Sequence, residues 1–477
     1  MKVNLRFILS FLMFSLACTA IYSCSGGMAP DEEPPPLSEK PLPPVQKERY
    51  VVKYRKAGNE QAWQPLDVQT AEVDYHRPRK TYFTQLDMAS PVEVMVRFKE
   101  TVRKVNIRPT HKGVTFTQEG DSISFTLDKP AYLSIEFNDD RFGNLQLFAD
   151  GVTESVSEGN NVIRFSSGYY ADYHGQKMME VPSNTTVVLE EGAVLAFSLR
   201  MNHAENVCIT GRGQIKGVDE SAILIEYSKN VLIDGISVVN QTHYGVYGGE
   251  SSNVTIRNFK NFSSVMWSDG IDLMSCSDVL VDNVFMRNSD DCIAFYGHRW
   301  NFWGDSRNIT VQNSILWADK AHPINIASHG NFESGDGEFL EDYTFRNLDI
   351  LEHHEDAPIY QGCLAVTCGD NNTVRRLLFE DIRIENVEQG KLFYFAVQVN
   401  PDFNTVSGKT IEDITIRNVS YTPEYPSRNS VGKSVIKGYD NSRRVENFTI
   451  ENVSVNGKKF SKDYLETNEF VEELIIK

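Results

Sequence analysis

Asn206-Val207-Cys208-Ile209, Asn230-Val231-Leu232-Ile233, Asn253-Val254-Thr255-Ile256 and Asp278-Val279-Leu280-Val281 repeat one phrase: a polar residue, an apolar one, a variable one and a second apolar one. Measured between their second residues, these instances lie 24, 23 and 25 positions apart. Five more follow at wider intervals of 30 to 37 residues: Asn308-Ile309-Thr310-Val311, Asp342-Tyr343-Thr344-Phe345, Arg376-Leu377-Leu378-Phe379, Asp413-Ile414-Thr415-Ile416 and Asn447-Phe448-Thr449-Ile450. A period of this kind marks a solenoid, in which each unit hides its apolar row against the next coil. The units contain only short alternating strands and no helical crossover. The expected fold is therefore all-β, a parallel β-helix over residues 154–460 with loops inserted on one face where the period lengthens. The asparagines that open the phrase are expected at the bends, bonded to neighbouring turn backbone; their Asn-x-Ser/Thr contexts are read as structural.

Upstream, residues 49–153 alternate in runs such as Val92-Glu93-Val94-Met95-Val96-Arg97-Phe98 and Ser122-Ile123-Ser124-Phe125-Thr126-Leu127, with turn residues between them. That pattern predicts half-buried antiparallel strands, and so a small β-sandwich ahead of the solenoid. Residues 25–48 are rich in proline and charge, including Asp31-Glu32-Glu33-Pro34-Pro35-Pro36, as an extended spacer would be. The first 24 residues carry Lys2 and Arg6, an apolar run at 7–22 and small residues near Cys24, the layout of a secretory signal. The surroundings of Cys24 resemble the lipobox of bacterial lipoproteins, with Cys18 as a competing acceptor. The resemblance implies lipidation at Cys24, a membrane anchor, and export to the outer membrane facing the periplasm or the cell surface. Residues 461–477 are read as a C-terminal tail.

The chain has 65 acidic against 47 basic side chains, a formal net charge of -18. That balance argues against nucleic acid as a partner and, more weakly, against polyanionic substrates. Five cysteines lie beyond the signal, at 208, 276, 292, 363 and 368. An odd number cannot all pair, and their place in apolar runs makes them small core residues rather than metal ligands. No metal or cofactor is expected, and the chain is expected to be a monomer.

The densest polar groups fall on two consecutive units: Trp267-Ser268-Asp269-Gly270-Ile271-Asp272 and Asn288-Ser289-Asp290-Asp291-Cys292-Ile293-Ala294. Asp269 and Asp290 are 21 residues apart, close to one coil. Residues one coil apart stack at roughly 4.8 Å, so Asp269, Asp290 and Asp291 are expected as neighbours on one face. Like charges so close raise at least one pKa and leave a protonated acid beside a carboxylate. Glycoside hydrolysis uses such a pair, one group protonating the leaving oxygen and the other activating water. Aspartates that only cap turns and a Ca²⁺ site of hard oxygen ligands are the competing readings.

These two segments resemble the Asn-Thr-Asp and Asp-Asp-Cys motifs of glycoside hydrolase family 28, the polygalacturonases, whose fold is a right-handed parallel β-helix. The resemblance runs over roughly residues 181–455 and includes Gly211-Arg212-Gly213. It implies an inverting glycosidase with Asp290 as general acid and with Asp269 and Asp291 holding and deprotonating the attacking water. The family's Gly-His-Gly is matched in part by Ala321-His322-Pro323, which makes His322 a fourth catalytic candidate, with His329 of Ser328-His329-Gly330 as competitor. The family's Arg-Ile-Lys has no counterpart, since the corresponding strand reads Gly362-Cys363-Leu364-Ala365-Val366-Thr367-Cys368. Without that basic pair the resemblance does not carry galacturonate specificity. A sandwich ahead of a β-helix also resembles the dextranase and isopullulanase family, whose substrates are neutral α-glucans.

Substrate contacts are expected from Tyr296, His298, Arg299 and Trp300 on an aromatic and basic loop, and from Asp272 and His329. His353-His354-Glu355-Asp356 has metal-type residues, but neighbours on an extended strand point opposite ways, so it is read as a solvated or cleft-lining loop. Long inserts between Trp317 and Asn372 hint at a walled cleft and action from a chain end. Two other classes stay open: a polysaccharide lyase or epimerase, and a non-catalytic carbohydrate-binding β-helix.

Overall fold

Alternating apolar residues in the first hundred ordered positions close one core from two sides. The structure is a computed structural model that describes residues 34–38, 49–58, 62–152, 156, 157, 159, 161–333 and 335–477. The signal, Cys24 and most of the 25–48 spacer lie outside the described residues. Gln64–Leu66, Tyr50–Lys56, Val92–Phe98, Ser122–Leu127 and Thr117–Glu119 form one five-stranded sheet in that order. Gln69–Val73, Arg79–Met88, Leu145–Gly151, Ala131–Phe137 and Val105–Arg108 form the other. Val94, Val96, Phe98, Ile123, Ile135, Phe137 and Leu145 fill the space between them. One pair departs from the antiparallel expectation: Leu145–Gly151 runs parallel to Arg79–Met88. The chain visits the opposite sheet between these two strands, and a long crossover of that kind permits parallel pairing where a hairpin does not.

From Val162 onward the chain winds into two long sheets of 20 and 12 strands, paired parallel almost throughout. The fourth residue of the repeated phrase forms one column through the core: Ile209, Ile233, Ile256, Val281, Val311, Phe345, Phe379, Ile416 and Ile450 are successive register partners. All are buried. This is the parallel β-helix that the period requires.

The bend asparagines behave differently from the expectation. Asn206, Asn230 and Asn253 take φ of 59°, 58° and 53°, a region that asparagine tolerates better than most residues. Each Nδ2 donates to the side chain one coil below, Asn206 to Asn184 at 2.9 Å, Asn230 to Asn206 at 2.9 Å and Asn253 to Asn230 at 2.7 Å. The asparagines thus ladder with one another rather than with turn backbone. Residues 461–477 are also not a loose tail. Leu465–Thr467 pairs with Ser434–Lys437, and Val471–Ile476 with Val445–Val455, adding a further coil.

The sandwich rides on the solenoid. Phe83, Tyr132 and Phe148 share an apolar cluster with Phe262, Phe285, Trp317 and Leu351. Beside it the buried Arg108 reaches Glu136 of the sandwich at 3.0 Å and Glu352 and Glu385 of the solenoid at 3.1 and 2.7 Å. An unpaired guanidinium there would be strongly unfavourable, so its three acidic partners fix the sandwich in place.

Candidate active site

Ile271–Met274 and Ile293–Tyr296 are adjacent parallel strands of the 12-stranded sheet, with Ile271 opposite Ile293. Asp269 and Asp291 each sit two residues before those partners, so the bends stack them one coil apart. Gly270 N donates to Asp291 O at 2.8 Å and holds the bends together. Only glycine fits at 270: an added Cβ would lie 2.2 Å from Met286 Cε and 2.3 Å from Cys292 O. One carboxylate oxygen from each of Asp269, Asp290 and Asp291 lies within 4.8 Å of the others. The three carboxyls are neighbours, with Asp269 stacked on Asp291, 22 residues on, and Asp290 beside them.

Asp290 accepts from two backbone N–H groups, Asp291 at 3.0 Å on Oδ1 and Trp267 at 2.9 Å on Oδ2. Burial and the neighbouring Asp291 outweigh those bonds and push its pKa up to about 7. Asp269 is raised well above the carboxylate range by burial and by Asp272, Asp290 and Asp291. Asp272 is raised by burial, while Arg299 opposes the shift. Among the described residues neither oxygen of Asp272 meets an N–H or O–H donor. A proton on Asp269 or Asp272 would let the two carboxyl groups bond to each other, as their raised pKa values favour. The three clustered oxygens also have the chemistry of a hard-cation site, although protons compete for Asp269 and Asp290, whose pKa values are raised.

Asp291 is built differently, as an acceptor of three bonds. Its Oδ1 receives His322 N at 3.0 Å and faces His322 Nδ1 at 2.6 Å, and its Oδ2 receives Asn325 Nδ2 at 2.7 Å. The other ring nitrogen of His322 faces the carbonyl of Tyr360, which can only accept, so that nitrogen carries a proton. Burial disfavours a charged imidazole, but Asp291 overcomes it and the His322 pKa is raised. Both ring nitrogens of the buried His322 are thus taken, by Asp291 and by Tyr360 O, which makes it a support for Asp291.

The floor of the cleft is a row of outward positions in register: Tyr247, Asp272, Ala294, Asn325 and Ala365. Ala294 of this row is buried in a cluster with Tyr244, Tyr247, Tyr296 and Phe302. His298–Arg299 and Phe302–Trp303 form a small antiparallel hairpin that folds back over the preceding coils. Phe302 lies so close over Gly249 that a Cβ there would be 2.3 Å from the ring. Trp300 lies 5.8 Å from Tyr244 in a stacked arrangement. The Arg299 guanidinium sits 5.2 to 5.8 Å from the ring centroids of Tyr244, Tyr296 and Trp300. His298 is taken up by the hairpin itself, with Nδ1 on Phe302 O at 2.6 Å and its ring stacked 3.6 Å from Trp303. His329 packs edge-on against Tyr296 at 4.9 Å, and burial together with Arg299 holds it neutral. The structure therefore gathers Asp269, Asp272, Asp290, Asp291, Tyr296, Arg299 and His329 around one site, with His322 supporting Asp291 and His298 in the adjoining hairpin, near enough to His329 to help hold it neutral. Asn325 and Tyr360 were missed. Asn325 was legible as the polar position between Ile324 and Ile326, whereas Tyr360 sits in a turn with no sequence signal.

Residues 158–470 match the model of the family described as Glycosyl hydrolases family 28. Exopolygalacturonase X-1 of Emericella nidulans is 23 % identical over 262 residues, 51 % of this chain and 52 % of that protein. The exopolygalacturonase of Cochliobolus carbonum is 24 % identical over 205 residues, 39 % of this chain and 42 % of that protein. The chain spans about half the length or less of these curated relatives. Among solved structures, Dex49A from Penicillium minioluteum superposes with a TM-score of 0.65 at 12 % identity, over 92 % of this chain and 96 % of that one. That likeness covers sandwich and solenoid together and concerns the fold. With the match extending over the whole β-helix and including the Asp269 and Asp290-Asp291 bends, the chain belongs to glycosyl hydrolases family 28.

Proposed function

We propose that this chain hydrolyses glycosidic bonds from the end of a glycan, with inversion, using Asp290 as the acid and Asp291 as the base. The observation that carries the reading is the contrast between two adjacent carboxyls. Asp290 is pushed up to about 7, so it holds a proton near neutral pH, while Asp291 is an acceptor of three N–H bonds. Asp290 gives its proton to the departing oxygen as the bond to the anomeric carbon breaks. Asp291 takes a proton from the water that attacks the opposite face, and Asp269 helps hold that water. Carboxyls this close would on separation alone read as a retaining pair. Asp291, bonded at both oxygens, is better suited to orienting water than to attacking carbon.

The hairpin over Gly249 supports action at a chain end, because it closes the cleft toward the preceding coils. Arg299 supports an acidic sugar: it is a cation near the acids with no ion pair or hydrogen bond of its own among the described residues, where a uronate carboxylate would find a donor. The second reading, a neutral α-glucan, is favoured by the absence of Arg and Lys from Gly362–Cys368. The N-terminal sequence supports an exported outer-membrane lipoprotein acylated at Cys24, with residues 25–48 as spacer. Intact-mass analysis of the membrane fraction tests this by the presence or absence of the lipid on Cys24.

The decisive experiment is reducing-sugar release from pectic galacturonans and α-glucans by wild type and Asp290→Asn, with the anomer of the first product read by proton NMR. Release that survives the substitution would remove the catalytic assignment, and a retained anomer would replace the water-activating role of Asp291 by a nucleophilic one.

A further inference from the structure

We propose that the β-sandwich completes the glycan cleft through the turn 74–77, with Tyr75 as a stacking platform for sugars on the leaving-group side of Asp290. The proposal rests on the glycosidase reading above. Asp74 is fully buried with φ 62°, and its Oδ1 accepts from His76 N and Arg77 N, both at 3.0 Å. Tyr75 N donates at 3.0 Å to Ser289 Oγ, the residue immediately before Asp290. Arg77 forks onto Glu388 with bonds of 2.8 and 2.9 Å. Between these anchors the His76 ring lies 5.9 Å from the ring of His354. The turn is thus a strap running along the bends from the coil of Asp290 to the coil of Glu388, bonded to the solenoid at both ends.

The Tyr75 ring stays 37 % exposed on a backbone fixed in this way. A rigid aromatic in water loses little conformational freedom when a sugar face stacks on it. Trp267, 52 % exposed and holding Asp290 through its own N–H, flanks the acid from the preceding coil. The departing sugar remains attached to the oxygen that Asp290 protonates. The 298–303 hairpin packs over the earlier coils at Tyr227, Tyr247 and Gly249, so in this proposal the rest of the glycan runs the other way, along the strap.

The test uses the full chain with Asp290→Asn to stop turnover, titrated with oligogalacturonides and isomalto-oligosaccharides of two to six sugars, beside cleavage of both ladders by wild type. Affinity is expected to rise with length, Tyr75→Ala is expected to remove about tenfold of that rise, and Tyr75→Phe to keep it. An unfolding midpoint unchanged by Tyr75→Ala excludes loss through misfolding. If wild type cleaves a ladder while Tyr75→Ala leaves the length dependence unchanged, the strap proposal is overturned and the glycosidase reading stands. If nothing is cleaved and nothing binds, both fall.

Discussion

His322 Nδ1 lies 2.6 Å from Oδ1 of Asp291, and the same oxygen receives the His322 backbone N–H at 3.0 Å. One residue thus grips the base twice, with its other ring nitrogen anchored on Tyr360 O. His322 is a positioning residue, and its removal is expected to act on turnover rather than on binding. His322→Ala should lower kcat about 100-fold, on the scale of losing a group that orients a reacting one, with KM changed little. Steady-state kinetics on the cleaved substrate checks the split; a rise in KM at constant kcat would move His322 into the substrate's binding site.

Asp290 sets the alkaline limb of activity. A general acid pushed up to about 7 loses its proton as pH rises through that value, so kcat/KM should fall above about pH 7. The same shift has a sign for stability. The unfolded carboxyl has a pKa near 4. Folding therefore takes up a proton between about pH 4 and 7, and stability drops as pH rises through that window. Asp290→Asn removes this dependence, so the variant should melt higher than wild type at pH 8 and gain nothing at pH 4, while losing at least about 100-fold in kcat. Equal melting differences at the two pH values would show that Asp290 is not the protonated member of the cluster.

Arg299 separates the two substrate classes. Its guanidinium is held among Tyr244, Tyr296 and Trp300, and it opposes the raised pKa values of Asp269 and Asp272. Arg299→Gln should raise KM for an oligogalacturonide about 10- to 100-fold, as loss of a charge-assisted contact does. An α-glucan that meets the guanidinium only through hydroxyls should lose about tenfold or less. The ratio of the two KM changes decides the class, and equal changes would make Arg299 a support for the acids and not a reader of the sugar.

The solenoid was legible because its order is periodic. The apolar column from Ile209 to Ile450 reappears at each coil, and a spacing close to one coil brings Asp269 beside Asp290 and Asp291, although the register stacks Asp269 on Asp291, one residue later than the 21-residue step. What escaped was contact between distant segments. Nothing local ties Tyr75 to Ser289, 214 residues later, or His322 to the carbonyl of Tyr360 in an irregular turn. The coil after residue 460 is not legible as strands because Leu465–Thr467 and Val471–Ile476 are short and carry charged residues at several positions. The stacking of His298 on Trp303 was not legible either, because it depends on a short hairpin whose register the sequence does not give.

Arg108 tests whether sandwich and solenoid unfold as one body. It is fully buried between them, bonded to Glu136 on one side and to Glu352 and Glu385 on the other, with its Nη2 donating to Leu351 O. Truncating it leaves three carboxyl groups facing one another without that cation, and breaking a buried ionic network by removing one partner costs about 3–5 kcal/mol. Arg108→Ala should therefore lower the unfolding midpoint and, if the interface fails before either core, split a single calorimetric transition into two. Arg108→Met with Glu136 and Glu385 changed to Gln, leaving Glu352 to its pair with Arg141, keeps the volume while removing the unpaired charges, and should recover much of the loss. Activity gives the second readout. Because Arg141 and Arg77 continue the same ionic chain through Glu352 and Glu388 to the strap at Tyr75, loosening the interface should weaken binding of long oligosaccharides more than short ones. A destabilised variant with unaltered length dependence would mean that the strap is held by Arg77 and Ser289 alone.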